Sequence, residues 1–263
     1  MIFDTHAHYD DDAFENDREE MISRLKPAGI VHAIDVGASK KSMPLVKEIA
    51  DTHDFIYGAL GMHPDEVGDI DDDLLAFMRK GLEDPKIVAV GEIGLDYHWD
   101  VMPHEVQIHW FMEQTKMAWE ADLPILIHSR SAAADTMDTI QKMYGPGAPG
   151  AGIKRKGIVH CYSYSLEQAK IYTEMGFYLG IGGTVTFKNA KKLKKVVTEI
   201  PLDHLLLETD CPYMAPEPHR GSRNSSLNLP YVVAEIARLK GISAREVEDV
   251  TYMNAMELFQ IPE

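Results

Sequence analysis

Ile2-Phe3-Asp4-Thr5-His6-Ala7-His8 is the stretch on which the reading of this chain turns. A short apolar run ends in polar side chains able to do chemistry, and the same design recurs downstream. Ile87-Val88-Ala89-Val90-Gly91-Glu92 ends in a glutamate. Ile125-Leu126-Ile127-His128 and Gly157-Ile158-Val159-His160 end in histidines, and Leu205-Leu206-Leu207-Glu208-Thr209-Asp210 in an aspartate. Runs this short, with few internal charges, predict strands buried on both faces. Eight are predicted, beginning near Phe3, Val31, Phe55, Ile87, Ile125, Gly157, Phe177 and Leu205. Helical patterns fill the gaps. One spans about Pro103 to Asp122, with Val106, Trp110, Met117 and Ala121 on one stripe; another runs from Glu15 to Leu25 and stops at Pro27 and Gly29. Strand–helix alternation implies parallel crossovers, and eight units in this length predict a single-domain (β/α)8 TIM-type barrel over residues 1–263. The candidate site then lies at the C-terminal ends of the strands. A doubly wound sheet is the weaker alternative, because it would hold the polar strand ends too far apart. The Pro/Gly-rich segment from Gly145 to Gly152 reads as a loop on the opposite face.

Composition narrows the function. The chain has 263 residues, 45% of them hydrophobic, enough for one large core. Its formal charge of −16 argues against non-specific coating of nucleic acid. Local capture of a polyanion stays open, since basic residues cluster at Lys154-Arg155-Lys156, from Lys188 to Lys195, and at Arg220 and Arg223. No run approaches the roughly 18 apolar residues of a membrane span. The first residues reach Asp4 and His6 without a leader-like segment, so a cytoplasmic protein is expected. The only cysteines, Cys161 and Cys211, each follow a proposed ligand; strand neighbours face opposite ways, so neither is expected to bind metal.

His6 and His8 are two apart on a strand and so share a face. Adding Glu92, His128, His160 and Asp210 at equivalent strand ends gives six candidate metal ligands. That exceeds the three or so protein groups of one catalytic zinc. Two divalent ions about 3.5–4 Å apart are expected, with Glu92 as the bridge. His6, His8 and Asp210 would complete one site, His128 and His160 the other. Nitrogen-rich ligation suits zinc, manganese or nickel, and magnesium fits if phosphate oxygens complete its shell.

The ordered motifs resemble the TatD-like metal-dependent hydrolases of the amidohydrolase superfamily. They are Asp4-Thr5-His6-Ala7-His8, Gly61-Met62-His63-Pro64, Gly91-Glu92-Ile93-Gly94-Leu95-Asp96-Tyr97, His128-Ser129-Arg130, His160-Cys161-Tyr162-Ser163, Glu208-Thr209-Asp210-Cys211-Pro212-Tyr213 and Asn254-Ala255. The resemblance runs nearly end to end. It implies a (β/α)8 barrel, divalent metals and phosphodiester hydrolysis, often as a deoxyribonuclease removing nucleotides from a 3′ end through a metal-bridging hydroxide. It places ligands on the same six residues and favours a catalytic role for His63 beside Glu92. Asp210 is expected to double as the base that takes a proton from water. Arg223 and Arg220, in a family-like Arg-Gly-x-x-Asn segment after the eighth strand, and Lys188 after Gly182-Gly183 are candidate phosphate contacts. Tyr213 and Trp99 are candidates for stacking a terminal base. Two departures stand out: Ser225-Ser226 replaces a common proline, and Tyr164 replaces a common glycine, predicting a narrower mouth.

Two other functions compete with the nuclease. The same site acting on an ester or amide, such as a D-aminoacyl-tRNA, is one. A non-catalytic binding protein with a structural metal is the other. A DNA end or other phosphodiester is the expected partner, with no membrane and no obligate protein partner.

Overall fold

Each apolar run becomes a strand. The computed structural model, which describes residues 1–262, contains β1 (Ile2–Ala7), β2 (Ile30–Val36), β3 (Ile56–Leu60) and β4 (Ile87–Asp96). It continues with β5 (Ile125–Arg130), β6 (Gly157–Val159), β7 (Tyr178–Ile181) and β8 (Leu205–Leu207). They pair in parallel in chain order. The helices are α1 (Arg18–Ser23), α2 (Met43–Thr52), α3 (Asp72–Gly81), α4 (His104–Glu120), α5 (Ala133–Tyr144), α6 (Leu166–Glu174), α7 (Lys191–Glu199), α8 (Leu229–Lys240) and α9 (Ala244–Phe259). Their boundaries follow local chemistry. The side chains of Asp71, Ser165 and Ser243 accept the free N–H groups that open α3, α6 and α9, and α8 stops at Gly241 with φ 69°. The helix expected over Glu15–Leu25 is shorter. Its ends tighten into 3-10 turns at Asp12–Phe14 and Lys26–Ala28, and Gly29 at φ 88° turns the chain into β2.

The sheet closes between its first and last strands. Ala7 bridges Cys211, His8 N–H donates to Cys211 O at 2.8 Å, and Asp210 N–H donates to His6 O at 2.9 Å. Asp4 reinforces this seam from within. Its carboxylate accepts from Thr209 N–H (3.0 Å), Thr209 Oγ1 (2.7 Å) and Ser226 Oγ (2.6 Å). Burial pushes the Asp4 carboxyl up to about 7 despite the hydrogen bonds from Ser226 and Thr209.

The barrel holds two apolar layers. Phe3, Ile34, Val36, Tyr57, Ala59, Val88, Ala89, Leu126, Ile158 and Leu206 form one cluster, with Tyr178 packed against it. All eight strands contribute, so these side chains meet inside the barrel. Ala255, Leu258, Phe259 and Ile261 join them, so α9 and the residues after it floor the barrel. The larger cluster lies between strands and surrounding helices. The inward rows change character as they rise: Leu126 is followed by His128, Ile158 by His160, and Leu206 by Glu208, each two residues on. Gly145–Gly152 joins α5 to β6 and therefore lies at the floor end.

Helix α4 departs from its predicted stripe. Gln107, Phe111, Gln114, Thr115 and Ala118 are buried with Met117, while Val106, Trp110 and Ala121 are only half-buried. The reason is polar. The Gln114 amide accepts from Met62 N–H (2.7 Å) and donates to Met62 O (3.2 Å), and the Gln107 amide does the same for Asp96 (2.8 and 3.0 Å). Two buried amides thus stand in for strand partners just where β3 and β4 run out of ladder, a pattern that apolar periodicity cannot see. Among the described residues, no helix is long and apolar enough to cross a membrane.

Gln114→Leu leaves two buried backbone groups unpaired, at about 1–3 kcal/mol each. We expect the urea midpoint to fall by an amount equivalent to about 2 kcal/mol or more, with an unchanged m-value.

Candidate metal centre

The inward rows deliver one cluster at the barrel mouth. His6 Nε2 lies 3.2 Å from His8 Nε2, and Glu92 Oε2 lies 3.6 Å from the first and 3.7 Å from the second. Across the cavity, Glu92 Oε1 is 2.6 Å from His128 Nδ1 and 3.6 Å from His160 Nε2. Glu92 therefore stands between the two histidine pairs, one oxygen toward each. Asp210 Oδ1 spans them again, 3.4 Å from His8 Nε2 and 3.8 Å from His160 Nε2. The rings of His6 and His160 stack at 3.6 Å. All six candidate ligands reach this one space.

The donor set fits divalent metal. Two nitrogens each about 2.0–2.1 Å from one tetrahedral ion sit roughly 3.3 Å apart, close to the spacing of His6 and His8. The ring orientations agree. His8 Nδ1 donates to Val36 O at 2.8 Å, which fixes its tautomer and aims the Nε2 lone pair at the cluster. Glu208 Oε2 backs His160 Nδ1 at 3.3 Å, and Asp96 Oδ2 backs His128 Nε2 at 3.0 Å. Carboxylates behind ligating imidazoles are a common feature of metal sites.

Charge is balanced toward cation capture. Burial opposes ionisation of Glu92, yet His128, His6 and His160 hold its carboxyl well below the usual range. Burial likewise opposes charge on Asp210, and His160 and His8 overcome it. Burial and His160 lower His6, whereas the carboxylates lift His8 against its burial to about 10 and lift His128 and His160 to about 9. The negative potential that would protonate these rings is the one that draws a metal ion.

His63 follows β3 and its ring stands 4.3 Å from that of His128. Its Nδ1 accepts Asp65 N–H at 3.2 Å, which leaves the proton on Nε2. Burial and His128 lower its pKa to about 4. Trp99 (62% exposed) and Tyr213 (55% exposed) are open at the mouth, and Tyr213 OH donates to Asp11. They follow β4 and β8, which lie on opposite sides of an eight-stranded ring.

The basic candidates differ. Arg223 is already engaged, donating to both carboxylate oxygens of Asp17 and to Ala13 O. The Arg220 guanidinium lies 4.3 Å from the Phe187 ring centre, and Lys188 is exposed. Tyr164 turns its hydroxyl to Ser129 Oγ at 2.9 Å, beside β5.

Three residues near the cluster escape the sequence reading. Asp96 was hidden because the fourth strand was expected to end at Glu92; it runs to Asp96, and positions 92, 94 and 96 share a face. Glu208 fills space left by Gly180, where a Cβ would stand 2.0 Å from its Oε2. Cys161 was expected to face away. Alternation fails there because β6 ends at Val159 and Cys161 adopts φ 45°, so its sulfur joins the ligand atoms of His160 and Asp210 within 4.8 Å. Burial pushes its thiol well up, which favours a neutral S–H.

A closed parallel barrel with imidazoles and carboxylates gathered at its C-terminal rim defines a metal-dependent hydrolase. Comparison with known proteins gives the particular kind: the model of the TatD related DNase family matches residues 3–260, and the chain belongs to that family. The metal-dependent hydrolase YabD of Bacillus subtilis is 43% identical over 99% of this chain and 100% of its own length. The 3′-5′ ssDNA/RNA exonuclease TatD of a Rahnella species is 30% identical over 94% of each chain. The crystal structure of the TatD homologue YjjV from Escherichia coli superposes with a TM-score of 0.91 at 33% identity, covering 99% of this chain and 98% of that one.

Metal should bind the folded chain selectively. Zinc at about 100 times its Kd adds roughly 2.7 kcal/mol and raises Tm by about 5 °C or more. His128→Ala and Glu92→Ala should cancel that shift while circular dichroism stays native.

Proposed function

We propose that the chain removes nucleotides from the 3′ ends of single-stranded nucleic acid, using two divalent ions held by His6, His8, Glu92, His128, His160 and Asp210. The observation that carries this reading is the position of Glu92, one oxygen toward each histidine pair. The exonuclease name of the Rahnella relative supports the substrate class. When bound, the ions lower the pKa of water and neutralise phosphoryl charge; zinc, manganese, nickel and magnesium all suit the donors.

The protein groups divide the remaining work. Asp210 has the most exposed side chain among the six, at 19%. In this reading its second oxygen takes the proton of an attacking water. His63 presents Nε2–H and donates to a phosphoryl or leaving oxygen. Lys188 and Arg220 offer charge to the adjoining backbone, and Arg223 does so only by releasing Asp17. Trp99 and Tyr213 offer faces to unpaired bases, which suits a single strand better than a duplex.

The test uses purified protein with each metal in turn, on single-stranded and duplex oligonucleotides labelled at either end and on an aminoacylated tRNA. Progressive shortening from the 3′ end of the single strand is expected. Ester hydrolysis without shortening would replace this reading with the aminoacyl-ester one. Asp210→Asn should lower kcat by at least about 100-fold, in the range of lost general-base catalysis.

A further inference from the structure

Arg130 is the last residue of β5 and lies two residues beyond His128. Leu126, His128 and Arg130 therefore form one inward row: Leu126 in the barrel interior, His128 at the cluster, Arg130 above it. Its backbone is fixed, since it pairs in register with Asp96 and its carbonyl accepts Tyr97 N–H at 2.9 Å.

Among the described residues, Arg18, Arg155, Arg223, Arg238 and Arg245 spend their forks on carboxylates or carbonyls, whereas Arg24, Arg79, Arg130 and Arg220 do not. Of these four, Arg130 is the one carried on a barrel strand, two residues from His128. It is exposed and, among the described residues, forms no ion pair; the Trp99 ring lies 5.4 Å from its guanidinium carbon, and its charge also reaches Asp65 and Cys161. Stacking occupies the flat face of a guanidinium and leaves its N–H edges available. In a chain of charge −16, a guanidinium kept unpaired at the rim is suited to a ligand that brings its own negative charge.

Trp99 is itself held in place. Asp96 accepts His98 N–H at 2.7 Å and Trp99 N–H at 3.4 Å, and Tyr97 stacks on His104 with ring centres 3.4 Å apart. The loop from β4 to α4 is thus pinned at both ends, and the indole stays 62% exposed.

We propose that Arg130 is the anchor for the phosphate adjoining the scissile bond, and that Trp99 stacks the base of the same nucleotide. This rests on the nuclease reading and deepens it. It makes a nucleoside phosphate, rather than a bare diester, the recognised unit. It also moves the principal phosphate contact from the loop after β8, where Arg223 is committed to Asp17, to the wall formed by β4 and β5.

The test compares wild type, Arg130→Gln, Arg130→Lys, Trp99→Ala and a remote control, Arg245→Gln, all first shown to keep the wild-type urea midpoint. Each is assayed on a single-stranded oligonucleotide and on bis(para-nitrophenyl) phosphate, a diester with no base and no second phosphate. Arg130→Gln should raise KM for the oligonucleotide about 10- to 100-fold. Its loss should be at least tenfold greater on the oligonucleotide than on the small diester. The slope of log affinity against log salt should fall by about 0.7, as for one lost single-strand phosphate contact. Arg130→Lys should recover the salt slope but only part of the KM, and Trp99→Ala should raise KM without changing the slope. The assignment is overturned if Arg130→Gln stays within twofold of wild type, keeps its salt slope, or loses both substrates equally. A wild-type enzyme that turns over the small diester but shortens no oligonucleotide overturns the nuclease reading, and the anchor with it.

Discussion

The seam between β1 and β8 is the constraint on which the rest depends. It joins residues about 200 positions apart, and the donors at each end are useful only once it is made. His6 and His8 sit on one side of it and Asp210 on the other, with His8 Nε2 3.4 Å from Asp210 Oδ1 across the join. The buried Asp4 carboxylate, bonded to Thr209 and Ser226, draws the two edges together from inside. A sheet left open there would keep its hydrophobic layers but scatter the cluster.

The barrel interior also acts as a gradient. Apolar side chains fill the floor, closed by α9, and imidazoles and carboxylates occupy the level above. Burial at that upper level penalises every charge, and opposite charges offset the penalty pairwise. Glu92 faces four histidines, while Asp96 and Glu208 each support one from behind. The cluster is therefore polar and buried at once, and its most open member, Asp210, faces the mouth.

Much of this was legible in the chain. Strand order and barrel class followed from apolar runs ending in reactive side chains, because strands buried on both faces leave little room for other compositions. The convergence of His6, His8, Glu92, His128, His160 and Asp210 followed from parallel direction alone. What escaped depends on facts outside any single run. Asp96 needed the true end of β4, and Glu208 needed the space beside Gly180. Cys161 needed the turn that ends alternation after Val159. The pairing of Arg223 with Asp17 links positions 206 apart and leaves no trace in either segment. The buried glutamines of α4 defeat a hydrophobicity pattern because their value lies in hydrogen bonds.

Those two glutamines make α4 a ruler. Gln107 and Gln114 are seven residues apart, two helical turns, so both amides point the same way and grip the ends of adjacent strands. One residue inserted between them would swing one amide about 100° around the helix axis and release a strand end. The spacing within the helix is therefore rigid in length. Change at the mouth is confined to the exposed side chains of the loop that precedes it, because Asp96 holds the backbone of His98 and Trp99 and Gln107 holds the carbonyl of Met102.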